Sequence, residues 1–280
     1  MRSGTSSPSP STGAGRVLPL TAGPLSLCEG RGQLTRLFSF GGGVQSTAAL
    51  VLAAQGRIDY SLFVFANVGD DSEDPATLRY ISTTAWPFAK KHNLELHEIA
   101  KGGRTLMQQI EQGPDIPIPA WPMKFPRSCT TNWKIRPLIR YAKKVGANVM
   151  GLGISTDEFM RAKDSRDPAI RYEFPLIELG LSRRDCLEVI ASAGLPEPPR
   201  SACFFCPYNS QARWQSLKRD RPHLFATAVH IEELLTAKSK ARGYGRATLR
   251  ASGVPLEVMG DQATFGDLID GECDSGYCWT

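Results

Sequence analysis

Apolar residues along this chain alternate between short unbroken runs and helical spacing, and the alternation predicts strands followed by helices. Leu37-Phe38-Ser39-Phe40 is an apolar run that stops at Gly41-Gly42-Gly43, and residues 46–54 then read as a helix. A second strand is expected over 60–66, ending in Asn67-Val68-Gly69-Asp70. A helix with Leu78, Ile81, Ala85 and Phe88 on one face follows, then a third strand over 94–99. Residues 102–128 carry Pro114, Pro117, Pro119, Pro122 and Pro126, and are expected to form a long loop. Helical spacing resumes over 133–144, a buried strand over 148–152, and a further apolar stretch over 170–177. Ser182-Arg-Arg-Asp185 is an N-cap and first turn, opening a helix that runs to Gly194. Two more helices are expected, one around Trp214 and Leu217 and one over 223–240, before a glycine-rich, weakly periodic tail.

Strands alternating with helices imply an α/β fold, a doubly wound parallel sheet with a smaller C-terminal helical region that carries cysteines. The expected organisation is a disordered tail over 1–33, an α/β domain over 34–180 and the helical region over 181–280. The tail's first 24 residues are rich in Ser, Gly, Pro and Thr and lack the apolar stretch of a signal peptide. No run of eighteen apolar residues occurs, so a membrane span is not expected and a cytoplasmic location is. Ligands of such sheets sit at the carboxyl ends of strands, where residues 41–46, 67–70 and 153–158 would converge.

Three consecutive residues without Cβ directly before a helix let backbone N–H groups approach a phosphate, and the helix start adds its dipole. Ser39, Gly41, Gly42, Gly43, Gln45, Ser46 and Thr47 are the candidate cradle, with the two hydroxyls of Ser46 and Thr47 as donors. At Gly42 a branched side chain would be expected to occupy the space of a phosphate oxygen. The alternative is a tight turn of small residues. The loop lacks the Gly-Lys-Ser/Thr of a Walker loop and the spacing of the dinucleotide fingerprint.

Seven cysteines, an odd number, point to metal or redox chemistry rather than a disulfide framework. Cys203-x-x-Cys206 can place two thiolates on one zinc or iron–sulfur centre. Cys129 precedes a helix that carries Lys134, and Cys273 and Cys278 lie near the C-terminus. Cys28 and Cys186 read as small buried hydrophobes. Asp157 and Glu158 follow a buried strand and could hold Mg2+ on a pyrophosphate, with Arg161 reaching a phosphate; a dipole-favoured helix start is the plainer reading. The net charge of +5 gathers at Lys218-Arg219-Asp-Arg221 and over 238–250, around Tyr244. These residues suit either a nucleic-acid partner or a solvated surface.

Ser39 to Leu50 resembles the PP-loop of the ATP pyrophosphatase and sulfonucleotide (APS/PAPS) reductase superfamily, with Gly41 in place of the usual Ser and Gln45 in place of Asp. Asn67-Val68-Gly69 stands where that family has Asp-Thr-Gly. Cys129-Thr-Thr-Asn-Trp-Lys134-Ile-Arg-Pro137-Leu138 resembles the Cys-Cys-x-x-x-Lys-x-x-Pro-Leu segment of its cluster-bearing reductases, and a similar segment of DNA phosphorothioation enzymes. The likeness spans about residues 36–210. It implies ATP at the glycine loop and at Asn67, Gly69, Gly153 and Arg161, with Lys134, Asp157 and Glu158 in catalytic roles. It also implies a 4Fe-4S cluster on Cys129, Cys203 and Cys206, completed by Cys273, Cys278 or a non-protein ligand, with zinc as the alternative metal. The implied activity is ATP-dependent sulfur transfer through an adenylated substrate, in the manner of DNA phosphorothioate modification. Its expected partners are an adenine nucleotide, a nucleic-acid substrate, a cysteine desulfurase as sulfur donor and a second copy of the chain. Ser155 replaces the Arg of the reductases' Gly-x-Arg. Glu272-Cys273 lacks the His of their Glu-Cys-Gly-x-His, yet a reductase with Cys273 as nucleophile remains an alternative. A non-catalytic nucleotide- or nucleic-acid-binding module with structural zinc is another.

Overall fold

The computed structural model describes residues 35–122, 125 and 127–260, and the positions of Cys28, Cys273 and Cys278 lie outside them. Five strands form one sheet: β1 (Arg36–Phe40), β2 (Leu62–Asn67), β3 (Glu95–Ala100), β4 (Val149–Leu152) and β5 (Arg171–Glu173). They run parallel in the order β3-β2-β1-β4-β5. The chain builds outward from β1 to β3 and then returns to the opposite side of β1. This places a topological switch between β1 and β4, the position at which open α/β sheets offer a crevice. The expected α/β sheet with helices on both faces is what the chain forms.

Side chains alternate across the sheet with period two. Phe63 and Phe65 of β2 join Phe38 and Phe40 beneath α1 (Val44–Ala54). The same face receives the helical run of α2 (Pro75–Tyr80), a π-helical turn over Ile81–Ala85 and α3 (Trp86–Lys91). Val64 and Ala66 face the other way, with Leu37, Met150 and Leu152, against Leu138 and Ala142 of α5 (Arg136–Lys144). A one-turn helix, α6 (Pro175–Glu178), leads into α7 (Arg183–Ser192). The α7 start is the expected capping box: Ser182 Oγ accepts from the Asp185 N–H at 3.2 Å, and the Asp185 carboxylate accepts from the Ser182 N–H at 2.8 Å.

The third apolar cluster departs from the expected layout. Residues 106–112, read as loop, form helix α4 (Leu106–Gln112), with Thr105 and Gln108 in a capping box. The prolines begin at Pro114 and do not oppose it. Leu106 and Ile110 pack with Trp214 and Leu217 of α8 (Gln211–Asp220) and with Ile231 and Leu235 of α9 (Pro222–Lys240). The segment read as a weakly periodic tail supplies buried Ala247, Leu249, Leu256 and Met259 to this cluster. Buried Glu232 holds it there, its carboxylate accepting from the Leu249 N–H at 2.7 Å and the Leu256 N–H at 2.9 Å. Among the described residues no helix is long and apolar enough to cross a membrane.

Candidate functional site

A crevice open to solvent lies at the carboxyl ends of β1 and β4, with a cavity volume of about 100 Å³. Gly43 caps α1, and Ser46 closes back on it, accepting from the Gly43 N–H at 3.2 Å. Gly153, just past β4, lies so close that a Cβ there would sit 3.2 Å from the Ser46 backbone nitrogen. The two strand ends therefore meet at the α1 N-terminus, where first-turn amides lack intrahelical partners.

Ser39, Gly41, Gly43, Gln45, Ser46, Lys134, Gly153, Glu158 and Arg161 line this crevice. Gly42, Thr47, Asn67, Gly69 and Asp157 do not. Gly42 has φ +77°, and a Cβ there would lie 3.0 Å from both Ile81 and Thr77, so its missing side chain makes room for the helical layer rather than for a ligand. Thr47 is fully buried. Asn67 is bound into its own turn, donating to Asp70 at 2.7 Å and Glu98 at 2.8 Å while accepting from the Gly69 N–H. Gly69 faces Thr105 at the head of α4. Asp157 accepts from the Arg183 N–H at 2.5 Å and anchors the α7 start. Glu158 is ion-paired with Arg161. Asp157 and Glu158 thus have separate partners.

Among the described residues, three polar lining residues went unread in the sequence: Arg183, Arg200 and Ser201. Arg183 lies within the cap motif and was masked by it. Arg200-Ser201 comes directly before the cysteine pair, a proximity that could have flagged them. Ser201 Oγ donates to the Gly41 carbonyl, and Arg200 is held by Asn209 at 3.1 Å and the Tyr208 carbonyl at 3.0 Å. Among the described residues, the lining carries four cationic side chains, Lys134, Arg161, Arg183 and Arg200, against the single carboxylate of Glu158. Together with the α1 amides they make a pocket suited to a polyanion.

The described cysteines divide in two. Cys186 is buried in α7, and burial pushes its thiol up to about 12, which suits a packing role. Cys203 and Cys206 bracket a tight turn, the Cys206 N–H donating to the Cys203 carbonyl at 3.1 Å. Cys129, just before the π-helical turn Thr130–Ile135, packs with Cys203 against the third apolar cluster. Burial pushes the Cys203 thiol well up; the charge of Glu73 adds to this, Lys134 opposes it, and Cys206 and Cys129 raise it further. Cys129, Cys203 and Cys206 are therefore electrostatic neighbours. Among the described residues, no three His, Cys, Asp or Glu side chains converge as ligands of a single ion. Glu73, which the sequence did not single out, is fully buried, with Lys134 Nζ 3.3 Å from its Oε1. Lys134 thus belongs both to the crevice and to the cysteine neighbourhood.

The basic runs are largely engaged within the fold. Lys238 donates to the Gly113 carbonyl at 2.8 Å, Arg246 pairs with Glu257 at 2.8 Å, and buried Arg250 donates to Gln211 at 2.6 Å. Lys218 donates to the Met259 carbonyl and Arg221 pairs with Asp74.

These features define a parallel α/β fold with an anion crevice at its switch point. No family model and no curated protein matches the chain. Similar solved structures include a phosphoadenylyl-sulfate (PAPS) reductase from Candida auris in complex with phosphate, 14% identical, with TM-score 0.42 over 59% of this chain and 75% of that one. They also include the U34-tRNA thiolase NcsA from Methanococcus maripaludis with its 4Fe-4S cluster, 14% identical, with TM-score 0.41 over 82% of this chain and 74% of that one.

Proposed function

We propose that the chain is an ATP pyrophosphatase-type sulfurtransferase, with ATP in the crevice and a 4Fe-4S cluster on Cys129, Cys203 and Cys206. The observation that carries this reading is the double membership of Lys134, which lines the anion crevice and lies 3.3 Å from Glu73 beside Cys203. The α1 amides, Ser46 and the crevice arginines hold the triphosphate. A substrate oxygen attacks the α-phosphorus, pyrophosphate leaves, and AMP is the second leaving group when sulfur takes its place. Lys134 and the arginines offset the charge that develops on the departing phosphates, the role in which fixed cations are most effective. The donor chemistry fits the metal, since thiolates suit iron–sulfur centres. Such a centre, when bound, would supply sulfur at the crevice edge. The proposed acceptor is nucleic acid, as in DNA phosphorothioate modification, with a cysteine desulfurase as the sulfur source.

Anaerobically purified protein is expected to carry iron and sulfide and to release pyrophosphate and AMP from labelled ATP when an acceptor is supplied. Cys203→Ser should lose iron and colour, whereas Lys134→Met should keep both and lose turnover. ATP left intact with every nucleic-acid acceptor, in protein loaded with cluster, would refute this reading. The pairing of the lining carboxylate Glu158 with Arg161 also suits a sulfonucleotide neutralised by cations without magnesium. Thiol-dependent sulfite release from adenylyl sulfate, lost in Cys273→Ser, would favour that reductase reading.

A further inference from the structure

The basic runs at 218–221 and 238–250, which the sequence offered to a nucleic-acid partner, are largely engaged inside the fold. Another stretch keeps its charge. Residues 116–156 contain no Asp or Glu, and within them α5 carries Arg136, Arg140, Lys143 and Lys144. Pro137, Leu138 and Ala142 are the buried side of that helix, and the four cations are exposed.

Arg136, Arg140 and Lys144 are spaced four apart, which stacks them as one row on the helix surface. The two arginines have neutral partners. Arg136 donates to the Asn132 side-chain oxygen at 2.9 Å, and Arg140 to the Lys101 carbonyl at 3.2 Å. Lys143 lies beside the row, and Asp167 offsets its charge at 2.7 Å. The loop after β3 widens the row. Lys101 stacks 3.7 Å over the Trp133 ring, whose indole N–H donates to the Arg104 carbonyl at 3.1 Å. These contacts fix exposed Arg104 beside the start of α5. Among the described residues, none of Arg104, Arg136, Arg140 and Lys144 is ion-paired.

A solvated helix face accounts for any one of these residues; what the row adds is direction. At its start, α5 and the turn before it form the crevice wall through Leu138 and Lys134. From there the row leads away over about 12 Å, the axial length of roughly three to four nucleotides of one strand.

We propose that this row is the track on which the phosphodiester backbone of a nucleic acid lies while one of its nucleotides reaches the crevice. This rests on the nucleic-acid acceptor proposed above. Regularly spaced cations suit regularly spaced phosphates, and such contacts position a strand without reading its bases. The track selects the polymer and leaves the choice of nucleotide to the crevice mouth.

The test measures binding of the full chain to a short fluorescein-labelled DNA duplex and to a single-stranded RNA of equal length, by anisotropy over a salt series. Arg136→Gln/Arg140→Gln is expected to weaken binding of the preferred probe about 10- to 100-fold at physiological salt. It should also flatten the slope of log K against log salt by about two, with ATP affinity unchanged by calorimetry. Arg136→Lys/Arg140→Lys should retain most of the affinity. Lys90→Gln/Lys91→Gln, an equal change of charge on α3 across the sheet, should leave it near wild type. Wild-type affinity in the glutamine variant would overturn the track and leave the acceptor reading standing. Equal losses in the α3 variant would reduce the row to net charge, and equal losses in the lysine variant would reduce it to a structural contact; either overturns it. So would polyglutamate competing as well as DNA or RNA of the same charge. Wild type that binds neither probe at low salt would sink the track and the acceptor together, while ATP binding still judges the crevice. Should the glutamine variant fail to fold, Arg104→Gln and Lys144→Gln carry the test singly, each lowering the slope by about one; an unchanged slope in both overturns the proposal.

Discussion

Asp74 and Arg221 stand 147 residues apart in the chain and meet at 2.6 Å, with Arg213 on the second carboxylate oxygen at 3.0 Å. This buried junction fastens the start of α2, beside the crevice, to α8 and the residue that opens α9. It also gives Asp74 two tasks, because the same carboxylate caps α2 through the Ala76 N–H.

Asp74→Ala is accordingly expected to destabilise the fold by about 3–5 kcal/mol, the range for removing one partner of a buried charge pair. Urea unfolding followed by circular dichroism measures it. A loss below about 1 kcal/mol would show that Arg213 and Arg221 recover their interactions with water.

Gly42 tests the assignment of the triglycine bend. Gly42→Ala forces a side chain into the left-handed region, at about 1–2 kcal/mol, and adds contacts with Ile81 and Thr77 at 3.0 Å. Gly56 has φ +68° with no atom within 4 Å of its virtual Cβ, so Gly56→Ala carries the backbone cost alone. The first variant should lower the thermal midpoint clearly more than the second. Equal losses would mean that the helical layer yields.

Arg183→Gln is expected to weaken ATP binding about 10-fold, as loss of one charge-assisted hydrogen bond does, with a shallower dependence on salt. Arg184, 88% exposed and paired with Glu188, serves as the matched control. Isothermal titration at two salt concentrations separates the variants. Equal affinities for both would remove Arg183 from the binding surface.

In metal-free protein the Cys203 thiol is held protonated by burial and by the Glu73 charge. Thiolate is the reactive form, so alkylation of Cys203 at pH 7.5 should be far slower than in the urea-unfolded chain and should rise only in alkali. A folded-state pKa above the unfolded value of about 8.5 stabilises the fold at neutral pH. That contribution declines as pH climbs through the folded value. Peptide mass spectrometry after timed alkylation reads the rate, and rapid neutral labelling of the folded chain would contradict the assignment.

The central strands were legible because parallel strands buried on both faces are continuous apolar runs, and Leu37 to Phe40 followed by three glycines leaves little alternative. Helix α4 was obscured by the prolines beyond it. Strand β5 has only three residues, and the π-helical turns break the 3.6-residue period on which helix recognition depends. Residues 247–259 lack periodicity because a carboxylate, Glu232, organises their backbone instead of an apolar stripe. In the crevice, Gly41, Gly43 and Lys134 could be singled out from spacing and resemblance. Glu73 could not be, since an acid after a strand end usually faces water, whereas here it is buried and pairs with Cys203, a residue distant in the chain.

The hydrogen bond from Ser201 to the Gly41 carbonyl has a consequence for selectivity. A bare peptide bend presents lone pairs as well as N–H groups, and lone pairs repel an incoming oxyanion. With one carbonyl occupied by a hydroxyl from a distant part of the chain, the surface left to a visitor is biased toward donors. The bend therefore discriminates by polarity before any side chain is consulted, turning away cationic and carbonyl-seeking molecules that would fit the same space.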